Sequence, residues 1–219
     1  MFIAVDGIDG AGKTTLVNRL SSFLRQHGIE PVVTKEPTGE SHWGRELRRA
    51  AREGRLSKVQ EIEYFHRDRL HHLDEVIAPS LEQGKIVITD RYVDSTLAYQ
   101  SDDVAEAEAL YKKFLDNGVI VPDVTFILDC EVETGLARIG KRGNGDKSTF
   151  ETTQTLEKAR RIFAARRGRN YVHVEASGDA ESTFAQALEV LKQRFSLFRA
   201  AIDNCSASAD YPKRRTAAG

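Results

Sequence analysis

The chain has 219 residues, of which 40% are apolar and 30% charged, enough of each for one packed domain under a solvated surface. Its 32 lysines and arginines are balanced by 33 aspartates and glutamates, which disfavours a dedicated nucleic-acid-binding or membrane-surface protein. Asp6 and Asp9 fall inside the first apolar segment, unlike in a signal peptide, and no apolar run approaches the roughly 20 residues that cross a bilayer. Two cysteines without CxxC spacing favour a reducing compartment, so we expect a cytoplasmic protein with no nucleic-acid or membrane partner.

Segments typical of strands alternate with segments typical of helices along the chain. Short apolar runs predict five strands, at residues 2–5, 31–34, 86–89, 124–128 and 171–174. Apolar residues at helical spacing predict helices at residues 13–27, 43–53, 59–84 with a kink near Pro79, and 182–202. This alternation predicts an α/β fold, a five-stranded parallel sheet with helices on both faces.

Composition also predicts the domain organisation. We expect residues 1–203 to form a single domain. The segment over about residues 141–155 is rich in Gly, Asn, Ser and Thr from Gly143 onward, and we expect it to be a mobile lid between two helices. Residues 204–219 are dominated by Ser, Ala, Pro and basic residues without periodicity, so they are predicted to be a disordered tail.

The most specific local pattern is a glycine-rich segment between the first predicted strand and the first predicted helix. It fits G-x-x-x-x-G-K-[ST] at every specified position, which predicts a loop that binds ATP. Its glycines let backbone N–H groups point at phosphate oxygens; Lys13 would hold the β- and γ-phosphates, and Thr14 would help ligate Mg²⁺. A plain glycine-rich turn fits less well, because both flanking elements are also present. The expected ATP-binding residues are Gly7, Ile8, Asp9, Gly10, Ala11, Gly12, Lys13, Thr14 and Thr15.

A charged pair, Asp90-Arg91, follows the predicted strand at residues 86–89. Ligands of open parallel sheets bind at this carboxyl edge. Asp90 could hold a Mg²⁺-bound water, and the guanidinium of Arg91 could clamp a phosphate through two hydrogen bonds. The alternative is a structural ion pair. Asp129 also ends a predicted strand. It could help to order the ligands of Mg²⁺ or have a structural role, and we weigh the two evenly.

Three blocks of the sequence, Asp6–Thr15, Phe65–Arg69 and Asp90–Gln100, together resemble the thymidylate kinase family of P-loop nucleoside monophosphate kinases. The third block reads D-R-Y-V-D-S-T-L-A-Y-Q, and it is similar to the family's D-R-[YFH]-x-x-S-x-x-A-Y-Q segment, a far more discriminating pattern than the glycine-rich loop. The resemblance implies Mg²⁺-dependent phosphorylation of dTMP to dTDP by ATP, for dTTP synthesis. It also implies a homodimer.

The resemblance assigns roles around the base and sugar of the acceptor. Phe65 would stack on the thymine ring, and Arg69, one helical turn later, would hydrogen-bond the base. Tyr99 would pack where a 2′-hydroxyl would sit, which favours deoxyribose. The residues implied at the base edge are Ser95, Thr96 and Gln100.

Other roles concern the acceptor's phosphate and 3′-hydroxyl. The resemblance places Asp9 at the 3′-hydroxyl, and Arg91 and Arg48 at the 5′-phosphate. Arg48 lies among other arginines, so a solvated helix face is an equal alternative. The substrate-binding pair Glu36-Pro37 occupies the position of the family's R-E-P-G-G turn, although two other letters of that turn differ here.

Phosphoryl transfer needs positive charge around the transferring group. Gly10 leaves the glycine-rich loop without an arginine, so the lid must supply one. The lid resembles the family's R-G-x-x-D-R segment from Arg142 onward, with Lys147 in place of the last arginine. The predicted catalytic set is Lys13, Asp9, Arg91 and Arg142, and the other lid candidates are Arg138, Lys141 and Lys147.

Two other functions stay open at this point. A kinase of another nucleoside monophosphate is the first, because Ser101-Asp102-Asp103 stand where the family usually has glycines. A nucleotide-binding regulatory module without turnover is the second, because Lys147 departs from the lid pattern. His66-Arg67-Asp68 resembles the start of a protein-kinase catalytic loop, but no asparagine follows five residues after Asp68, so we interpret it as a coincidence.

Overall fold

The computed structural model describes residues 1–54, 56–141, 152–196 and 198–199 of the chain. The prediction of a disordered tail at residues 204–219 lies outside the described residues. So does most of the predicted lid, including Arg142 and Lys147.

Five parallel strands form one sheet, which confirms the predicted fold class. The strands are β1 (Phe2–Gly7), β2 (Val32–Lys35), β3 (Val87–Asp90), β4 (Val124–Asp129) and β5 (Tyr171–Glu175). Their order in the sheet is β2-β3-β1-β4-β5, and each neighbouring pair is parallel. β1 and β3 are buried over their whole length, as expected for strands covered on both faces.

Helices surround this sheet. They are α1 (Lys13–Gln26), α2 (His42–Glu53), α3 (Lys58–His72), α4 (Ala78–Glu82), α5 (Val93–Gln100), α6 (Val104–Asp116), α7 (Val132–Gly140), α8 (Thr153–Ala165) and α9 (Ala180–Arg194). In the described ranges, none of them has the length and apolar character that a membrane crossing requires.

Two predicted boundaries were wrong, and a third helix is interrupted near the predicted kink. The predicted helix at 59–84 contains a π-helical turn at Leu73–Ile77, directly before α4, whose second residue is Pro79. The predicted terminal helix ends at Arg194, because Phe195 adopts an extended backbone. The predicted loop extended to residue 155, but α8 begins at Thr153, since the side chain of Thr152 caps it.

The register of the sheet brings the predicted site residues to one edge. Asp90 at the end of β3 pairs with Val5 of β1 and with Lys35 of β2. The glycine-rich loop leaves β1 at the same edge, because parallel strands point their carboxyl ends in one direction. Residues far apart in sequence therefore meet above these strand ends.

Candidate active site

The loop between β1 and α1 is shaped by glycines. Gly10 has a φ of 81°, and a Cβ atom added to it would lie 2.2 Å from the carbonyl oxygen of Gly135 in α7. Gly12, the N-cap of α1, is left-handed with a φ of 97°. Only glycine satisfies both the backbone angles and the close approach of α7, so these glycines let the loop wrap over the start of α1.

Lys13 is buried at the first position of α1. Its Nζ atom donates to the carbonyl oxygens of Gly7 at 2.9 Å and Ile8 at 2.7 Å, and it lies 3.8 Å from the carboxylate of Asp9. Burial and, next, the positive charge of Arg91 lower the pKa of Lys13 to about 8. The ammonium is therefore charged at neutral pH and is held at the loop.

Thr14 and Asp90 lie beside the loop and offer two oxygen atoms of the kind that ligate Mg²⁺. The hydroxyl of Thr14 donates to Oδ2 of Asp90 at 2.5 Å, and Nζ of Lys35 lies 3.6 Å from the same oxygen. Oδ1 of Asp90 is buried without a hydrogen-bond partner. In the described residues no group of three or more His, Cys, Asp or Glu side chains could enclose a metal. The pair therefore fits Mg²⁺, which uses one or two carboxylates and completes its shell with phosphates and water.

A second charged cluster joins the loop to the start of α5. The guanidinium of Arg91 contacts the carboxylate of Asp9, donates to Oγ of Ser95 at 3.2 Å, and lies 5.7 Å from the ring centroid of Tyr99. The Tyr99 hydroxyl donates to Oδ2 of Asp9 at 3.1 Å and accepts from its backbone N–H at 3.0 Å. Burial opposes ionisation of Asp9, but the charges of Arg91 and Lys13 outweigh it and hold the pKa of Asp9 well below its usual range.

Arg91 has a left-handed backbone, with a φ of 73°. For a non-glycine residue this conformation costs on the order of 1–2 kcal/mol. The N–H of Arg91 donates to the carbonyl of Val5 at 2.9 Å, and the hydroxyl of Thr89 donates to the carbonyl of Arg91 at 2.8 Å. These bonds hold the turn that directs the guanidinium toward the loop.

Arg69 forms a buried corner between α3 and α5. Its side chain has no solvent exposure; Nε donates to Oε2 of Glu36 at 2.9 Å and Nη2 donates to Oγ1 of Thr96 at 2.8 Å. Its guanidinium lies 5.3 Å from the ring centroid of Tyr92 and 5.6 Å from that of Phe114. Nη1 of Arg69 has no partner.

Gln100 ends α5 near the start of α3. Its Nε2 atom donates to Oε2 of Glu61 at 3.3 Å, while its Oε1 atom is buried without a partner. Phe65 lies one turn before Arg69 in α3 and is partly exposed. A buried donor on Arg69 and a buried acceptor on Gln100 are thus left unsatisfied by the protein itself.

The turn after β2 is fixed by a residue that sequence reasoning missed. Oδ2 of Asp68 accepts from the backbone N–H of Thr38 at 2.8 Å, and Oδ1 accepts from the hydroxyls of Thr38 at 2.6 Å and Ser41 at 2.5 Å. Asp68 is therefore a structural hydrogen-bond acceptor, which agrees with the interpretation of His66-Arg67-Asp68 as a coincidental match.

Arg48 is exposed, and its Nε and Nη2 atoms donate to the carbonyl of Pro37 at 3.0 and 2.7 Å.

A cleft of about 370 Å³ adjoins the outer side of the loop. Arg138 lines it, and its guanidinium donates to the carbonyls of Ala176 at 2.7 Å, Ser177 at 3.0 Å and Gly178 at 2.6 Å. Arg138 thus holds the segment after β5, a contact across 40 residues that no local pattern reveals. Other lining residues are Gly10, Gly12, Thr15, Lys141 and Asp179.

Asp129 pairs with a neighbouring helix. Nε of Arg160 in α8 donates to its Oδ1 atom at 2.8 Å, and both side chains are about two-fifths exposed, at 39% and 41%. Of the two roles weighted for Asp129, this ion pair supports the structural one.

The sheet order and the loop between β1 and α1 define the class of this protein: it is a P-loop nucleotide kinase. A profile of the family described as thymidylate kinase matches residues 5–187. A thymidylate kinase of Xanthomonas euvesicatoria pv. vesicatoria is 44% identical over 197 residues, covering 87% of this chain and 83% of the relative. One from Xylella fastidiosa is 39% identical over 212 residues, covering 92% and 93%. The chain belongs to the thymidylate kinase family.

Proposed function

We propose that the protein transfers the γ-phosphoryl group of ATP to dTMP, forming dTDP and ADP in deoxynucleotide synthesis. Family membership and the printed names of the relatives support this activity. The structural observation that carries it is that two buried atoms, Nη1 of Arg69 and Oε1 of Gln100, have no hydrogen-bond partner in the described part of the protein. Each such atom costs about 1–3 kcal/mol when it is left unpaired, so a ligand that satisfies both is favoured.

Thymine has the complementary pattern. Its O4 atom accepts a hydrogen bond, which suits Nη1 of Arg69, and its N3–H group donates one, which suits Oε1 of Gln100. Cytosine presents the reverse pattern, a donor at position 4 and an acceptor at N3, and would leave both protein groups unpaired. Phe65, on the same side of α3 one turn away, is the proposed stacking partner of the ring.

The proposed binding of the sugar and phosphate of dTMP uses the second charged cluster. Arg91 would clamp the 5′-phosphate, with Ser95 holding the guanidinium. Asp9 would accept from the 3′-hydroxyl, and the ring of Tyr99 would lie against C2′ of deoxyribose. Arg48 stays a candidate for the same phosphate; it donates to the carbonyl of Pro37, the residue after Glu36. We call Arg69, its partners Glu36 and Thr96, and Gln100 the base corner.

The proposed ATP site is the P-loop with the adjoining cleft. The loop N–H groups and Lys13 would bind the β- and γ-phosphates, and the cleft lined by Arg138 would take the adenosine. Thr14 and Asp90 would hold Mg²⁺, which supplies charge neutralisation on the phosphates. Because the acceptor phosphate is already an anion at neutral pH, no general base is needed. Arg142, in the predicted lid, is our proposed source of the remaining positive charge.

The proposal includes a homodimer in the cytoplasm. Val59 at the start of α3 is 76% exposed and Val104 at the start of α6 is 39% exposed. Nζ of Lys58 contacts Asp102 and Glu106, so the starts of these two helices are neighbours. Analytical ultracentrifugation tests the dimer: twice the chain mass is expected, and a monomer at micromolar concentration would contradict it.

An acceptor panel tests the proposed activity. ADP release is measured with dTMP, dUMP, dCMP, dGMP and UMP at saturating Mg-ATP. We expect the highest kcat/KM for dTMP, lower values for dUMP and UMP, which share the uracil edge, and at least about a hundredfold loss for dCMP. A higher value for dCMP or dGMP would contradict the assignment of the base corner. ADP release that no acceptor stimulates would contradict phosphoryl transfer altogether.

A further inference from the structure

Helix α5 carries four of the proposed acceptor-binding residues, and all eight residues of the helix are buried. It begins two residues after Arg91 and includes Ser95, Thr96, Tyr99 and Gln100. A helix without a solvated face is positioned entirely by its contacts with neighbouring elements. Any displacement of α5 would move these four side chains, and the turn at Arg91, together.

One polar anchor of α5 comes from the sheet. Asp6 in β1 is buried, and its Oδ2 atom accepts from the backbone N–H of Tyr92 at 3.1 Å. Its Oδ1 atom accepts from the hydroxyl of Ser95. This carboxylate fixes the first turn of α5 relative to the strand that leads into the P-loop.

A second anchor comes from the end of α8. Nε of Arg166 donates to Oδ1 of Asp94 in α5 at 2.7 Å, and Nη2 donates to the hydroxyl of Tyr171 at 2.8 Å. The same hydroxyl lies 3.2 and 3.3 Å from the two oxygens of Asp94, to which it donates. Nη1 of Arg166 contacts the carboxylate of Glu108, and the guanidinium lies 4.2 Å from the ring centroid of Tyr111.

Burial makes the contacts within this triad of Arg166, Asp94 and Tyr171 costly to break. Arg166 is 3% exposed and Asp94 is 1% exposed. Breaking a buried pair leaves a carboxylate without its partner, whereas an intact pair adds little net stability over apolar side chains. The planar guanidinium of Arg166 donates in three fixed directions. The triad therefore fixes the position of the α5 backbone.

Arg166 is the C-cap of α8, the helix that follows the predicted lid. A second contact also joins α8 to α5: Nζ of Lys158 in α8 donates to the carbonyl of Tyr99 at 3.2 Å. The helix that leads away from the lid is thus joined to the helix that holds the acceptor residues at two points.

We propose that Arg166 is a positioning residue for the acceptor nucleotide, acting through Asp94 and Tyr171 on helix α5. It touches neither substrate. Its role is to hold Arg91, Thr96 and Gln100 where the acceptor's phosphate and base need them, and not to serve the ATP site. This role rests on the proposed function, since dTMP is the acceptor that those residues would bind.

Arg166→Met and Tyr171→Phe test the proposal in steady-state kinetics with each substrate varied in turn. Arg166→Met should raise the KM for dTMP about tenfold or more while the KM for ATP stays within about twofold, because only α5 is displaced. Tyr171→Phe removes a single hydroxyl and should raise the KM for dTMP by a smaller factor, about threefold. The milder variant keeps the test decisive if Arg166→Met does not fold.

Two matched variants serve as controls. Arg160→Met removes another ion pair of α8, the one to Asp129, and Glu108→Gln weakens the contact of Arg166 with α6. Both should leave the KM for dTMP within about twofold of the unmodified protein. An unchanged KM for dTMP in the two test variants, or an equal rise in both KM values, would overturn the proposal.

Hydrogen–deuterium exchange separates this proposal from the proposed function. Arg166→Met should increase exchange in residues 93–100 relative to Arg160→Met, without a matching increase in β1. Unchanged exchange there would overturn the positioning role even if dTMP is phosphorylated. Conversely, an unmodified protein that does not phosphorylate dTMP would contradict the proposed function, while the exchange result would still decide whether Arg166 positions α5.

Discussion

The P-loop and the base corner are built in opposite ways. The P-loop is eight consecutive residues, Gly7–Thr14, and most of its work is assigned to backbone N–H groups. The base corner consists of side chains from three segments; Glu36 and Thr96 lie 33 and 27 residues from Arg69, which binds both. The P-loop thus uses neighbouring groups of one short segment, whereas the base corner depends on side chains that only the fold brings together.

The largest effect is expected at the one P-loop side chain that would touch the transferring phosphate. Lys13→Met should lower kcat about a thousandfold, because the charge that stabilises the transferring group is removed. Lys112→Met, an exposed change on α6, is the control and should leave kcat unchanged. If Lys13→Met keeps more than about a tenth of the activity, the P-loop acts through its backbone alone.

The base corner should respond to a single substitution in both affinity and stability. Arg69→Met should raise the KM for dTMP about a hundredfold, and the free energy of unfolding should fall by about 3 kcal/mol because Glu36 keeps only its second buried partner, His72. Arg67→Met is the matched control, two residues away on the same helix and exposed; Arg67 pairs with Glu63 and lies 5.8 Å from the ring centroid of Trp43. Kinetics and urea unfolding measure both quantities. Equal changes in KM for dTMP and in the free energy of unfolding for Arg69→Met and Arg67→Met would contradict a special role of the base corner.

A smaller effect, a decrease of kcat/KM for ATP with rising pH, is expected from Lys13 in the P-loop. The pKa of Lys13 is about 8, so kcat/KM for ATP should fall by about tenfold per pH unit above that value as the ammonium loses its proton. The unfolded chain keeps the ordinary value of 10.5 and binds more protons between these limits, so this group makes stability rise with pH there. Lys13→Arg, which stays charged, should have a flat profile above pH 8. Parallel profiles for the two proteins would contradict the assignment.

The contrast between the two regions also explains how much the sequence could predict. The fold and the P-loop follow from contiguous signals, namely short apolar strands and a motif with the correct flanking elements. Arg69 and Gln100 were reached through family resemblance, and not from any local pattern. The turn Leu73–Ile77 was missed because hydrophobic periodicity does not distinguish a π-helical turn from an α-helix that continues.

Two arginines whose contacts sequence reasoning did not predict, Arg138 and Arg166, have partners far away in the sequence. Arg138 binds carbonyls about 40 residues away, and Arg166 binds Asp94 across 72 residues. Arg138 was assigned to the lid for its charge alone, whereas its hydrogen bonds commit it to the segment after β5. Charge and spacing identify a candidate side chain, but only the packed structure shows which backbone or carboxylate receives it.

The central claim is that Arg69 and Gln100 read the Watson–Crick edge of thymine. N3-methyl-dTMP tests it most directly, because the methyl group removes the N3–H donor and leaves the sugar, phosphate and O4 atom unchanged. We predict that its kcat/KM as an acceptor is at least about a hundredfold below that of dTMP. Equal values for the two acceptors would contradict the claim.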